Sequence, residues 1–203
     1  MRIDVVIYDG FDELDAIGPY EVFGHAARAG AAVDVGYASV TKAPGDLVTA
    51  SLGTTLQVQR RLGPADLVVV PGGGWQNDGT SPGSRAESLH GDVPRALVER
   101  HAAGSVVAGV CTGGMLLASA GLLEGRRAVT HHTALDELAT RGAHVVRERV
   151  VDEGDIVTAG GVTSGIDLAL HLVERMCGAQ FADAAATMME HTRVRAGVRV
   201  PVP

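Results

Sequence analysis

The sequence predicts an α/β fold with a mainly parallel sheet, and three observations lead there. Short β-rich apolar runs alternate with alanine- and leucine-rich stretches of helical period, the pattern of strand–helix–strand units. The run Leu67-Val68-Val69-Val70 ends in Pro71-Gly72-Gly73-Gly74, a glycine tract at a strand's carboxyl end. The run Val106-Val107-Ala108-Gly109-Val110 ends at Cys111, after which Thr112-Gly113-Gly114-Met115-Leu116-Leu117 reads as helix.

Strands are expected at 3–8, 33–40, 66–71 and 105–110, the first interrupted by Asp4. Residues 12–29 place Leu14, Ile17, Tyr20, Val22, Phe23 and Ala26 on one side and read as helix. Gly18-Pro19 should make that helix start after Ala16 or kink, because proline lacks a donor and clashes with the preceding turn. Asp15 then falls just before or inside a distorted first turn. Residues 46–61 alternate as a strand or small hairpin, with Val48, Leu56 and Val58 inward. A long polar loop follows over 74–84. Beyond the cysteine, a helix over 112–120 ends at Gly121, and the strand Arg127-Ala128-Val129-Thr130 leads to His131-His132. Residues 133–141 read as helix. Strands over 145–151 and 155–158 flank the turn Asp152-Glu153-Gly154. Gly160-Gly161 precedes a helix running from Thr163-Ser164-Gly165-Ile166-Asp167 to Cys177, a last helix covers 179–190, and Pro201-Val202-Pro203 is an untethered tail.

The 203 residues, 46% hydrophobic and 20% charged, suit a single domain over 1–203 with one full core. A net charge of −7 without basic runs argues against nucleic acid or an anionic membrane as partner. Arg2 to Tyr8 offers no signal-peptide core, and no apolar segment approaches the ~18 residues of a membrane span. Two cysteines, Cys111 and Cys177, with no export signal, point to a reducing cytoplasm. Cys177, at a glycine-capped helix end, suits core or interface packing.

Gly109-Val110-Cys111-Thr112-Gly113 reads as G-x-C-x-G, the thiol counterpart of a strand-to-helix nucleophile elbow. There the following helix's dipole and free amides favour a thiolate. The bland reading is a buried cysteine acting as a small hydrophobe. Asp15 and Thr112 each have a second role open to them as helix caps. The triple glycine permits close approach of a ligand or is merely a turn, and it is not a P-loop, since no Gly-Lys-Ser/Thr follows. Trp75 shapes a pocket beside that loop or simply packs. Glu21 reads as solvated or interfacial. His131 and His132 would point to opposite faces of a strand and lack completing ligands, so no metal site is expected.

Asp15-x-x-Gly18-Pro19, Pro71-Gly72-Gly73, Gly109-x-Cys111-Thr112-Gly113, Val129-Thr130-His131 and Gly160-Gly161-x-Thr163-x-Gly165-Ile166-Asp167 together resemble the ThiJ/PfpI superfamily of glutamine-amidotransferase-like proteins. The resemblance covers almost the whole chain, and its branch is the isonitrile (isocyanide) hydratases, through Leu14-Asp15-x-x-Gly18-Pro19-x-Glu21-Val22-Phe23 and Val110-Cys111-Thr112-Gly113. It implies a doubly wound, flavodoxin-like sheet flanked by helices, a site around Cys111 at the sheet's carboxyl edge, and a homodimer. It further implies that Asp15 approaches the sulfur, that the amides of Gly73 and Thr112 stabilise an anion, and that His131 is structural or supports the site. The implied reaction is hydration of an isonitrile to an N-substituted formamide through a thioimidate, with no cofactor. Peptidase members carry histidine directly after the cysteine, where this chain has Thr112. Alternatives from the same resemblance are a ligand- or redox-sensing module related to AraC-type regulator amino-terminal domains, and an aldehyde-detoxifying thiol enzyme.

Overall fold

The computed structural model describes residues 1–193, so the expected tail at 201–203 lies outside the described residues. In chain order the elements are β1 (Arg2–Val6), α1 (Glu13–Arg28), β2 (Asp34–Ser39), β3 (Leu47–Thr49), β4 (Thr55–Gln57), β5 (Arg60–Arg61) and β6 (Leu67–Val70). There follow α2 (Ser84–His90), α3 (Asp92–Ala102), β7 (Val106–Val110), α4 (Gly113–Ser119) and β8 (Arg127–Ala128). A 3₁₀ turn at His132–Ala134 leads into α5 (Leu135–Thr140), β9 (His144–Val145), β10 (Val150–Asp152), β11 (Ile156–Ala159), α6 (Ser164–Cys177) and α7 (Ala179–Met188). Among the described residues no helix is long and apolar enough to cross a membrane.

The main sheet runs β10-β11-β7-β6-β1-β2-β5, parallel throughout except that β10 pairs antiparallel with β11. Helices α1, α6 and α7 pack together, and α2, α3 and α4 form a second packed group. The chain leaves β1 toward β2 on one side and, through β6 and β7, builds the other side. That reversal opens a crevice at the carboxyl ends of β1 and β6, the placement expected for a ligand site in a doubly wound sheet. Val68, Val69 and Val70 are fully buried, as central parallel strands covered on both faces require.

Asp4, which breaks the apolar run of β1, is fully buried and tied to Arg2 at 3.0 Å and Arg60 at 2.8 Å. Its carboxylate is thus paired in mid-strand, and β1 survives the polar insertion.

Several expectations need correction. The first helix does not start after Ala16: it begins at Glu13 and includes Pro19. Asp12 supplies the cap, its Oδ1 accepting from Leu14 N at 3.2 Å. Proline removes only the donor that would have met the Asp15 carbonyl. The 46–61 stretch forms both a hairpin, β3 with β4, and the sheet-edge strand β5, with Val48 and Val58 buried and Leu56 half-buried. The strand expected over 145–151 is two pieces, since β9 pairs with β8 and β10 joins the main sheet. Helices α2 and α3 stand where no element was assigned. Gly91, at φ 83°, ends one and starts the other, and α2 is short and polar, so the helical period is interrupted before it registers.

Candidate active site

Strand β7 carries the chain to Cys111 at the sheet's carboxyl edge, and α4 takes it away. Cys111 has φ 55°, a left-handed conformation that costs a non-glycine residue on the order of 1 kcal/mol or more. The surroundings hold it there. Its amide donates to the carbonyls of Ala159 at 3.0 Å and Gly160 at 3.1 Å, and its carbonyl accepts from Thr130 Oγ1 at 2.8 Å. The flanking glycines answer to close approach: a Cβ on Gly109 would lie 2.9 Å from Gly114 N, and one on Gly113 would lie 2.2 Å from the Val70 carbonyl oxygen. G-x-C-x-G is therefore an elbow whose strain falls on the residue bearing the thiol.

Asp15 does not cap α1, because Asp12 does. It is fully buried in the first turn, and its Oδ2 accepts from Gly72 N at 3.0 Å. Oδ1 has no well-formed donor, and the interacting group facing this carboxyl is the Cys111 thiol. Burial, reinforced by the Asp12 charge, holds Asp15 well above the usual carboxyl range. Burial also pushes the Cys111 thiol up, with Asp15 adding to it and the Thr112 amide opposing. The sulfur is buried beside a carboxyl, and that burial opposes the thiolate which the start of α4 favours. The pair titrates jointly, and double ionisation is the state this site opposes most.

Thr112 occupies the cap position of α4, yet its hydroxyl makes no capping bond and instead accepts from Gly73 N at 2.9 Å. Gly73's amide is therefore engaged by Thr112, and only Thr112's own amide addresses the sulfur. Meeting developing charge with the Gly73 amide requires it to leave Thr112 Oγ1.

His131 and His132 do not alternate along a strand. They open the 3₁₀ turn with ring centroids 4.2 Å apart. A Cβ on Gly161 would meet His131 Cδ2 at 2.3 Å and Cys111 Sγ at 3.1 Å, so imidazole and sulfur flank one backbone position. Burial and the neighbouring His132 lower the His131 pKa, favouring the neutral ring, and Nδ1 contacts Thr133 Oγ1 at 2.9 Å. Among the described residues no group of three or more His, Cys, Asp or Glu is placed to hold a metal ion. Glu21 is exposed and pairs with His25 at 3.4 Å, and Cys177 is a half-buried free thiol. Asp167 turns to Arg149 at 2.6 Å and His191 at 2.9 Å.

A cavity of about 270 Å³ opens over the sulfur, with Trp75, Gln76, His131 and Thr133 among its walls. Trp75 both packs and lines it. The indole Nε1 donates to Glu137 Oε2 at 2.8 Å, and the Arg85 and Arg141 guanidinium carbons lie 4.2 and 5.4 Å from the ring centroid. Glu137 also pairs with both arginines at 2.9 Å, which with the indole holds its carboxyl below the usual range despite burial. Sequence offered no signal for this cluster, because its members are scattered from Trp75 to Arg141. Replacing Glu137 by Ala leaves the indole donor and two guanidinium groups without it, so a loss of about 1–3 kcal/mol is expected. Trp75 is the chain's single tryptophan, and its emission should shift to the red in that variant. An unchanged spectrum and melting curve would show that the cluster does not hold the wall.

Residues 1–175 match the DJ-1/PfpI family. The isonitrile hydratase of Pseudomonas putida is 34% identical over 196 residues, covering 94% of this chain and 78% of that protein. The Parkinson disease protein 7 homolog of Danio rerio is 29% identical, with 89% of this chain and 92% of that protein covered. Among solved structures, a ThiJ/PfpI family protein from Pseudomonas syringae superposes with a TM-score of 0.82 at 26% identity, covering 95% of this chain and 76% of that one.

Proposed function

Because the chain belongs to the DJ-1/PfpI family, we propose that it is an enzyme hydrating isonitriles to N-substituted formamides at Cys111, acting as a cytoplasmic homodimer on a small-molecule substrate. One observation carries the reading: a fully buried carboxyl, Asp15, shifted toward its protonated form, faces the only thiol at the sheet's carboxyl edge among the described residues. An isonitrile carbon needs a nucleophile and a proton together, and this pair offers both.

In the proposed sequence Asp15 gives its proton to the terminal carbon and takes the thiol proton on its other carboxyl oxygen while the Cys111 sulfur bonds to that carbon, forming the thioimidate R–N=CH–S. Asp15 then protonates the nitrogen, and the resulting carboxylate takes a proton from water as hydroxide adds to the carbon, giving R–NH–CH(OH)–S. It receives the hydroxyl proton and returns its own to sulfur as the C–S bond breaks, releasing R–NH–CHO and restoring the pair. The Thr112 amide beside the sulfur supports the thiolate as it leaves. A cavity of about 270 Å³ suits a small alkyl or aryl substituent on nitrogen. Burial of the thiol counts against a peroxide sensor that works through an exposed cysteine.

Formamide release from a panel of alkyl and aryl isonitriles tests the proposal. Turnover by the wild-type protein is the expected result, and a silent wild type across the panel would sink it.

A further inference from the structure

Gly73, Ser84 and Thr112 close a ring of hydrogen bonds whose direction is fixed by chemistry. The Gly73 amide can only donate, and it does so to Thr112 Oγ1 at 2.9 Å. The Gly73 carbonyl can only accept, and it takes the Ser84 hydroxyl and the Ser84 amide, each at 2.7 Å. Ser84 has a single hydroxyl proton, already placed on that carbonyl. In its 3.1 Å contact with Thr112 Oγ1, Ser84 therefore accepts and Thr112 donates. Ser84 is fully buried and Thr112 nearly so, which keeps solvent from competing. Helix capping does not explain Ser84, since Gly83 holds the cap position of α2. Only glycine at 72 lets Thr112 sit this close, since a Cβ there would lie 2.4 Å from both Thr112 N and Thr112 Oγ1.

We infer that Ser84 is a positioning residue for the thiol site: it draws the Thr112 hydroxyl proton away from Cys111 and leaves the Thr112 backbone amide as that residue's donor to the sulfur. Ser84 acts only through Thr112, and the turnover consequence rests on the hydration reading above. Loosening the ring lets Thr112 and Gly73 move, weakens the amide's hold on the sulfur, and makes the thiolate harder to form.

The test compares wild type, Ser84→Ala, Thr112→Val and the double variant in two assays. One is isonitrile turnover. The other is the pH midpoint of iodoacetamide alkylation at Cys111, followed on the Cys111 peptide so that Cys177 does not interfere. Ser84→Ala is expected to lower kcat by about tenfold, the scale of one lost hydrogen bond, with KM little changed. Its alkylation midpoint should move upward, as should that of Thr112→Val, and the double variant should be no worse than Thr112→Val alone. Additive losses in the double variant, or a Ser84→Ala midpoint equal to that of wild type, would overturn the inference. Should Ser84→Ala fail to fold, Ser84→Cys, similar in size but a weak donor, carries the same expectations. A wild type without turnover defeats the hydration reading, and the alkylation midpoints still decide the role of Ser84.

Discussion

Replacement of Cys111 by alanine is expected to remove formamide production, by on the order of 10⁴-fold or more, the scale seen when a covalent nucleophile is deleted. Cys111→Gly should lose as much activity and yet be more stable than Cys111→Ala by about 1 kcal/mol. The two variants share the loss of sulfur but differ in how they bear φ 55°. Alanine keeps the left-handed conformation at the full steric penalty, whereas glycine adopts it freely. The backbone is held in either case by the bonds from Ala159, Gly160 and Thr130. Urea denaturation at matched m-values measures the difference, and chromatography of the formamide measures the activity. If alanine proved as stable as glycine, the elbow would carry no strain. Turnover above one percent in either variant would place the nucleophile elsewhere.

The elbow was legible because it is local. Five consecutive residues report a strand end, a turn and a helix start, with Gly109 answering to contacts inside the elbow and Gly113 to the neighbouring end of β6. The family's other signatures were legible as residue types, but the reason for them lies across the molecule. Gly18 and Gly165 belong to separate motifs that meet where α1 crosses α6: a Cβ on Gly18 would lie 3.2 Å from Ile166, and one on Gly165 would lie 3.4 Å from the Pro19 ring. That crossing also shows why the helix does not wait until after Ala16 to start, since packing against α6 outweighs one missing hydrogen bond. Burial was the least legible quantity. A free-thiol motif suggested an anion, but no local pattern states that Asp15 and Cys111 would be enclosed together, and that enclosure works against the anion. Helix α2 escaped for a related reason: it packs on α4 with Ser84 and Ala86 as its buried residues, which make no apolar stripe.

Asp15→Asn should lose turnover by on the order of 10²–10⁴-fold, the range for a positioned proton donor, while becoming more stable than wild type as pH rises. Asparagine keeps the geometry: its Oδ1 can accept from Gly72 N as Asp15 Oδ2 does at 3.0 Å, and its amide can face the sulfur. It cannot give up a proton to carbon. The stability sign follows from the raised pKa. Asp15 contributes fully below the carboxyl's unfolded value, and that contribution is lost as pH climbs through the higher folded value, because ionising the buried group is opposed. Asparagine stays neutral throughout, so the stability of the variant relative to wild type should grow from pH 4 to pH 8. Melting temperatures at those two pH values measure it. A variant that is less stable than wild type at pH 8 would mean Asp15 is held as a paired carboxylate, and the acid role would fall with it. Turnover retained above a tenth would transfer the proton to another group on the cavity wall, and His131, beside the same Gly161, is the side chain placed to take it.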